Sequence, residues 1–222
     1  MTAGQTPRRA GRGAEGWEAK TLRALAYPAN IVLGGLAATL LAIPVVTALP
    51  AAVALARALH AWRVDGDDAV FTNTFREFGA TWRRTLPTGA VTAGAGALLL
   101  VDALFLVSRL GTPDAGFAVL AAAAALPVAV VLVLAFLAIP VAAARHRDAD
   151  AATWRREAAR LVVLQPVRSA VVLVLSTGLV ATCMLLPTML PFLAFSVPGY
   201  LALATWQTEG GASDGGPQEP TE

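Results

Sequence analysis

Residues 169–208, SAVVLVLSTGLVATCMLLPTMLPFLAFSVPGYLALATWQT, run for forty positions without an Asp, Glu, Lys or Arg. Built as one α-helix, such a run would be about 60 Å long, roughly twice the thickness of bilayer hydrocarbon. It therefore reads as two membrane helices folded back on each other. Pro187 and Pro191 mark the turn, because proline lacks the amide donor and biases the residue before it away from helix.

The rest of the chain repeats the pattern. Uncharged runs cover 24–56 and 115–144, and 85–108 carries only Asp102. Over 222 residues the composition is 56% hydrophobic and 14% charged, whereas charged residues approach a quarter of a soluble domain. The 24–56 run is again too long for one crossing, and Pro44 and Pro50 bracket a turn, Pro-Val-Val-Thr-Ala-Leu-Pro. The returning helix meets Arg57 early, so either Arg57 snorkels to the inner interface or this hairpin penetrates only part of the bilayer. The two middle runs form a hairpin joined by a turn-rich loop at 108–116, and Pro127 and Pro140 are expected to kink its second helix.

Sixteen of the 17 Lys and Arg residues fall in three segments, Arg8 to Arg23, Arg57 to Arg84 and Arg145 to Arg168, with Arg109 alone elsewhere. Basic residues collect on the cytoplasmic side of membrane helices, so these segments should share that face with both termini. The expected fold is an all-α polytopic bundle of about six membrane helices, at 24–43, 50–64, 86–109, 116–144, 166–186 and 190–206. A five-helix alternative keeps 24–56 as one tilted span and places the basic N-terminus outside. Residues 18–208 read as one membrane domain in a bacterial cytoplasmic membrane, between a disordered basic tail at 1–17 and a disordered acidic tail at 209–222. Arg8-Arg9 lacks the continuation of a twin-arginine signal, and the first apolar run is too long for a signal peptide, so it reads as a retained anchor.

Two polar stretches, 68–85 and 149–164, have one organisation. Phe71, Phe75, Phe78 and Trp82 form an apolar stripe at helical spacing, with Arg76, Arg83 and Arg84 largely off it. Trp154, Ala158, Leu161 and Gln165 repeat the spacing beside Arg155, Arg156 and Arg160. Asp67 or Asp68, and Asp148 or Asp150, are suitable N-caps. Both stretches are expected as amphipathic helices lying at the inner interface, aromatic face down, where they either orient and anchor the chain or dock a partner. The shared Trp-Arg-Arg at 82–84 and 154–156 points to a degenerate duplication.

Several features resemble the YesL family of bacterial membrane proteins, the domain of unknown function 624. They are Asn30, Leu-Leu-Ala-Ile-Pro-Val-Val-Thr at 40–47, Leu-Pro-Ala-Ala at 49–52, Trp62 with Gly66, Phe75 with Phe78, and Leu-Leu-Leu-Val-Asp ending at Asp102. The resemblance covers the first half in motif and the whole chain in layout. Members accompany carbohydrate uptake systems and saccharide-degrading enzymes, which implies an accessory role in sugar import. No catalytic residues are established for the family, so none carries over.

The residues themselves offer little chemistry. His60 and His146 have no carboxylate or thiol at ligand spacing, and Cys183 is the only cysteine, so neither a metal site nor a disulfide is expected. Ser176, Thr177 and Thr182 lack a nearby histidine base, and hydroxyls in membrane helices usually bond backbone or neighbouring helices. Glu157-Ala158-Ala159 lacks the glycine of a permease coupling loop, and there is no phosphate-binding Walker loop. Asp102 is the one acid within a span, and such an acid is a functional-site candidate by default. Basic patches beside membrane spans fit anionic lipid, so nucleic acid is not expected as a partner.

These observations lead to an accessory membrane protein, not an enzyme, without cofactor, whose partners are the bilayer and the subunits of a carbohydrate importer. The docking candidates are Phe75, Phe78, Trp82, Arg83, Arg84, Trp154, Arg155 and Arg156. The alternative is a small transporter or permease subunit, as a homo-oligomer, with Asp102, Asn30 and Gln165 lining a path. A membrane enzyme comes third.

Overall fold

Within lipid a helix satisfies its own backbone hydrogen bonds, and apolar runs of this length leave the chain little else to form. The computed structural model describes residues 17–206 except Leu110 and Asp114, with side chains from Ala26 onward. The tails expected at 1–17 and 209–222 lie outside the described residues, save Trp17, whose backbone opens the first helix. All the regular structure among the described residues is helical: α1 (Trp17–Leu41), α2 (Ala48–Asp65), α3 (Val70–Arg109), α4 (Ala115–Arg145), α5 (Ala151–Leu164), α6 (Pro166–Leu185), α7 (Leu190–Leu193) and α8 (Ser196–Trp206), with short 3-10 turns at Val45–Thr47 and Pro187–Met189. Four helical stretches are long and apolar enough to cross a membrane: Val45–Asp65, α3, α4 and α6. A fifth is added if Pro187–Leu193 and α8, which meet at 44°, count as one bent span. The apolar part of α1, Ala26–Leu41, is shorter.

The paired prolines act where expected. Between α1 and α2 the chain turns at Pro44, and the Thr47 hydroxyl donates to the Leu41 and Pro44 carbonyls, each at 2.6 Å. Residues 24–56 are therefore two helices, not one tilted span. Gly66 ends α2 in the left-handed region (φ +70°), where a side chain would strain the backbone, and its N–H reaches Trp62 O at 3.1 Å. Asp67 then receives the Ala69 N–H at 3.1 Å and the Asn73 amide at 2.6 Å, and these donors hold its carboxyl below the usual carboxylate range.

The expected division between an interfacial helix at 68–85 and a span at 86–109 does not occur. Residues 70–109 form one uninterrupted helix through Pro87, about 60 Å long. Packing explains the continuity. Val70, Asn73, Thr74, Thr81, Thr85 and Gly89 are buried along one face, and α2 with α3 makes the most extensive of the helix pairings. The Thr74, Thr81 and Thr85 hydroxyls turn back onto their own helix, to the Val70, Glu77 and Thr81 carbonyls, so the face is polar in sequence but self-satisfied in structure. Prolines 127 and 140 likewise lie inside a continuous α4.

The second polar stretch does stop where expected. Asp150 caps α5, accepting the Thr153 N–H at 2.9 Å, which keeps its carboxyl below the usual range. Gln165 leaves helical geometry (φ −125°, ψ 61°) and Pro166 starts α6. Its stripe faces protein, however, not lipid. Trp154, Ala158 and Leu161 are buried in the main core, and Trp154 Nε1 donates to His146 O at 2.7 Å. The two look-alike sequences thus have different placements.

Small residues bring the helices close. The Cβ of any side chain at Gly35 would lie 1.8 Å from Phe192 O, and one at Gly89 would lie 2.7 Å from Val46 O and 2.9 Å from Pro50 Cδ. The Gly89 contact also sets depth. It places the α1–α2 turn beside α3 with 20 residues of α3, about 30 Å, still to run to Arg109. Only 6% of the apolar window of α3 is buried inside the protein, so this arm presents Leu98, Leu100, Val101, Leu104 and Phe105 outward, as lipid contact requires.

Gly35→Ala should lower the melting temperature in detergent by the equivalent of about 1–3 kcal/mol, since a backbone carbonyl and not a side chain must move. Asp150→Ala should also lower it at neutral pH. Because the Asp150 carboxyl is held down in the folded state, its contribution is present at neutral pH and lost as pH falls through its folded pKa. Variant and parent should therefore converge in melting temperature under acid.

Candidate functional site

Charge is concentrated where α2, the first half of α3 and the α4–α5 joint meet. Arg57 lies mid-way along α2, among Ala54, Leu55, Ala58 and Leu59, and is itself buried. Its Nε sits 3.1 Å from Glu77 Oε2, close but not aligned for a hydrogen bond, and its Nη2 donates to Arg147 O at 3.1 Å. Arg147 in turn pairs with Glu77 Oε1. Both oxygens of Glu77 are thus taken by arginines, and the guanidinium of Arg57 bridges three segments of chain. Arg57 neither snorkels to water nor stands alone. The cluster fixes position; its one carboxylate is committed to two cations and has no spare oxygen for proton transfer.

A second cluster joins α1, the α2–α3 loop and α8. Asp68 Oδ1 accepts from Trp62 Nε1 at 3.0 Å and from the Asn30 amide at 3.3 Å. With the Asn30 amide turned over, its nitrogen donates to Asp68 O at 3.0 Å and its oxygen accepts from Trp62 Nε1, so both ends are matched in that orientation. Tyr27 packs on Trp62 with ring centroids 4.8 Å apart and shares a hydroxyl hydrogen bond with Tyr200. The Arg63 guanidinium lies 5.6 Å from the Tyr200 ring. Asn30 is therefore a structural tie between helices.

The other two intramembrane candidates lie elsewhere. Asp102 lines a cleft of about 370 Å³ between α3 and α4 with Leu99, Leu106, Ala118 and Ala122, while Arg109 stacks over Phe105 at 4.9 Å. It is 32 residues along α3 from Val70, about 48 Å, so Asp102 and Asn30 cannot line one site. Gln165 sits at the α5–α6 joint, where Oε1 accepts from Arg168 Nη1 at 3.3 Å.

The proposed docking residues divide by helix. Phe75 is 39% exposed, Phe78 and Trp82 are half-buried, and Arg83 and Arg84 are exposed, with the Arg83 guanidinium 5.4 Å from the Trp82 ring. Phe71 and Phe75 stack at 5.2 Å. This stripe flanks the threonine face that meets α2, about 70° round the helix from it, with Phe75 exposed and Phe71, Phe78 and Trp82 half-buried. Trp154 is core, whereas Arg155 and Arg156 are exposed. Among the described residues no three His, Cys, Asp or Glu side chains gather as metal ligands would.

Sequence reasoning passed over Glu77, Arg147 and Tyr200, and took Asp68 only as a possible N-cap. Glu77 carried a signal, being the only carboxylate between Asp68 and Asp102 and lying inside a basic segment. Which arginines it meets is decided only by helix packing.

Residues 31–103, about a third of the chain, match the family model described as "Protein of unknown function, DUF624", in agreement with the resemblance to the YesL family. The matched region holds Arg57, Asp68 and Glu77 and ends one residue beyond Asp102. No curated protein and no solved structure matches.

Glu77→Gln should destabilise the protein by about 3 kcal/mol, because it leaves the buried Arg57 charge uncompensated. Replacing Arg57 and Glu77 together by leucine should recover most of that loss, as removing both partners of a buried pair does. Denaturant unfolding in detergent, followed by tryptophan fluorescence, measures both; equal losses in the two variants would show that the ion pair is not what holds α2 to α3.

Proposed function

We propose that this protein is a multi-pass component of a bacterial cytoplasmic membrane, both termini inside, that assists a solute uptake system through contact at its basic end. The observation that carries this reading is the continuity of α3. Its C-terminal half is an apolar arm of spanning length, and its N-terminal half shares the helix. A helix that crosses the bilayer cannot also lie flat in its surface. The N-terminal half therefore projects on the basic side, where the half-buried Phe71, Phe78 and Trp82 and the exposed Phe75, with exposed Arg83 and Arg84, form a partly open edge of the fold. Aromatic and arginine side chains together are the composition of protein-contact hot spots.

The class of partner follows from the family resemblance, which favours a carbohydrate importer. A transport path through this chain alone is less well supported, since Asp102 lies about 48 Å along α3 from Val70, the end at which Asn30 meets Asp68, and few other polar side chains lie within the spans. In topology, six helical segments pair as three hairpins, the first reaching only part of the way across, because its turn meets Gly89 about 30 Å short of the end of α3.

Two experiments test this reading. In a Cys183→Ser background, Thr112→Cys in the α3–α4 loop should react with an impermeant maleimide added outside intact cells, and Thr47→Cys in the α1–α2 turn should not; full external labelling of Thr47→Cys would mean a complete first crossing. Crosslinking and copurification from native membranes should recover importer subunits with the parent protein and at least fivefold less with the triple variant Phe75→Ala, Phe78→Ala, Trp82→Ala at equal protein level. Equal recovery would remove the stripe as the docking surface.

A further inference from the structure

Above the ion cluster, where the α1–α2 turn ends beside α3, the helices part around a cleft of about 850 Å³ that opens outward past the exposed Val45 and Leu100. Leu49, Leu100, Leu132, Phe136, Leu137 and Val180 supply most of its apolar wall, so it spans from α2 across α3 and α4 to α6. Its volume is within the about 300–1,000 Å³ of small-molecule sites. Almost every lining group is apolar. A cavity with such walls excludes water, and beside bilayer hydrocarbon it is filled by something equally apolar.

Ser176 of α6 gives the site a buried, unspent polar group, beside the exposed Thr177. Ser176 lines the cavity, is 5% exposed, and its Oγ has no hydrogen-bond partner. The other buried hydroxyls behave differently: those of Thr74, Thr81, Thr85, Ser169 and Ser196 each donate to a backbone carbonyl. The Thr92 hydroxyl, also on the cavity wall, is likewise occupied by the Thr88 and Gly89 carbonyls. A buried hydroxyl without a partner costs free energy, and an occupant of the cleft that carries an acceptor oxygen would remove that cost.

We propose that this cavity is a specific site for one membrane phospholipid, with an acyl chain along the Leu100, Leu132 and Phe136 wall and an ester carbonyl oxygen accepting from Ser176 Oγ. The short first hairpin makes this geometry attainable. Because the α1–α2 turn stops beside Gly89, the space above it is left to lipid, and the carbonyl region of a lipid seated there is drawn down toward Ser176. The lipid completes the contact that α2 would make if its hairpin were longer, and so joins α6 to the α3–α4 arm.

Gly96 is the position at which to test this, since a Cβ there meets nothing nearer than Leu132 Cδ2 at 4.0 Å and a larger side chain can enter the cavity without moving backbone. The full-length protein is reconstituted in vesicles of a single synthetic phosphatidylglycerol, extracted in mild detergent, and examined by native mass spectrometry with quantitation of extracted lipid. The parent should retain one phospholipid per chain. Gly96→Phe and, independently, Ala181→Phe should abolish retention while helix content stays unchanged. Ser176→Ala should weaken it about fivefold to tenfold, as loss of one hydrogen bond does. Ser176→Thr, which keeps the hydroxyl, should restore it. If one cavity-filling variant fails to fold, the other and the Ser176 pair still decide the matter. A parent that retains no lipid, retention unaffected by either Phe variant, retention of free fatty acid in place of phospholipid, or a dimer that the Phe variants dissociate would each overturn the assignment.

Discussion

Glu77 is the point on which the tertiary arrangement turns. A carboxylate and an arginine each lose heavily on leaving water, and burying Arg57 within α2 is tolerable only because Glu77 and the Arg147 carbonyl stand beside it. That pairing fixes the rotation of α3 against α2, since a helix turned by one residue would carry Glu77 some 100° away. It fixes the α4–α5 joint as well, because Arg147 is held by the same carboxylate. Hydrophobic contact chooses less sharply between registers here: α2 buries Leu49, Val53, Leu55 and Leu59, but Ala51, Ala54, Ala58 and Ala61 share one small, uniform face. Small, similar side chains slide; a charge in a low-dielectric interior does not.

With that register set, the other contacts follow. Gly89 comes against Val46 and Pro50, the α1–α2 turn ends there, and α3 continues for another 20 residues beside its hairpin partner α4, without α1 and α2. The molecule thus has a densely packed end, where α2, α4, α5 and α8 share one core with Trp154 and Trp206 at 1% and 0% exposure, and an apolar arm with almost no protein around it. Such a division suits a membrane. Water drives the packed end together, while the arm has lipid as its solvent and gains nothing by further burial.

The look-alike segments show how local pattern and tertiary context part company. Both place aromatic and apolar residues four, three and four apart, beside arginines. In α5 the stripe closes against α4 and the Trp154 indole finds a carbonyl, so the face becomes core. In α3 the neighbouring threonine-rich face meets α2, since self-bonded hydroxyls pack as small apolar surface, and the aromatics are left at the edge of that contact, with Phe75 exposed and the others half-buried. Hydropathy ranks Phe over Thr for burial, and that ranking fails here because α2 offers a flat alanine face on which only small side chains allow close approach.

The sequence by itself determined the helical class, the approximate place of the long apolar helices, and the turns. The proline pairs at 44 and 50 and at 187 and 191, Gly66, and the Asp150 cap act locally, through backbone geometry that needs no distant partner. The resemblance seen in the 40–47 stretch and Asp102, both inside the matched 31–103, likewise lay in the residues themselves. What only the tertiary structure decided is which polar groups meet. Arg57 finds Glu77 and Arg147 across 20 and 90 positions of chain, Asn30 finds Asp68 across 38, and Asp102 is left far from both. Nor could the passage of α3 through Pro87 be read locally, because one missing amide bond weighs less than the long contact with α2. Local rules act within a turn or two of helix, and pairings between hairpins depend on how whole helices rotate and slide against one another.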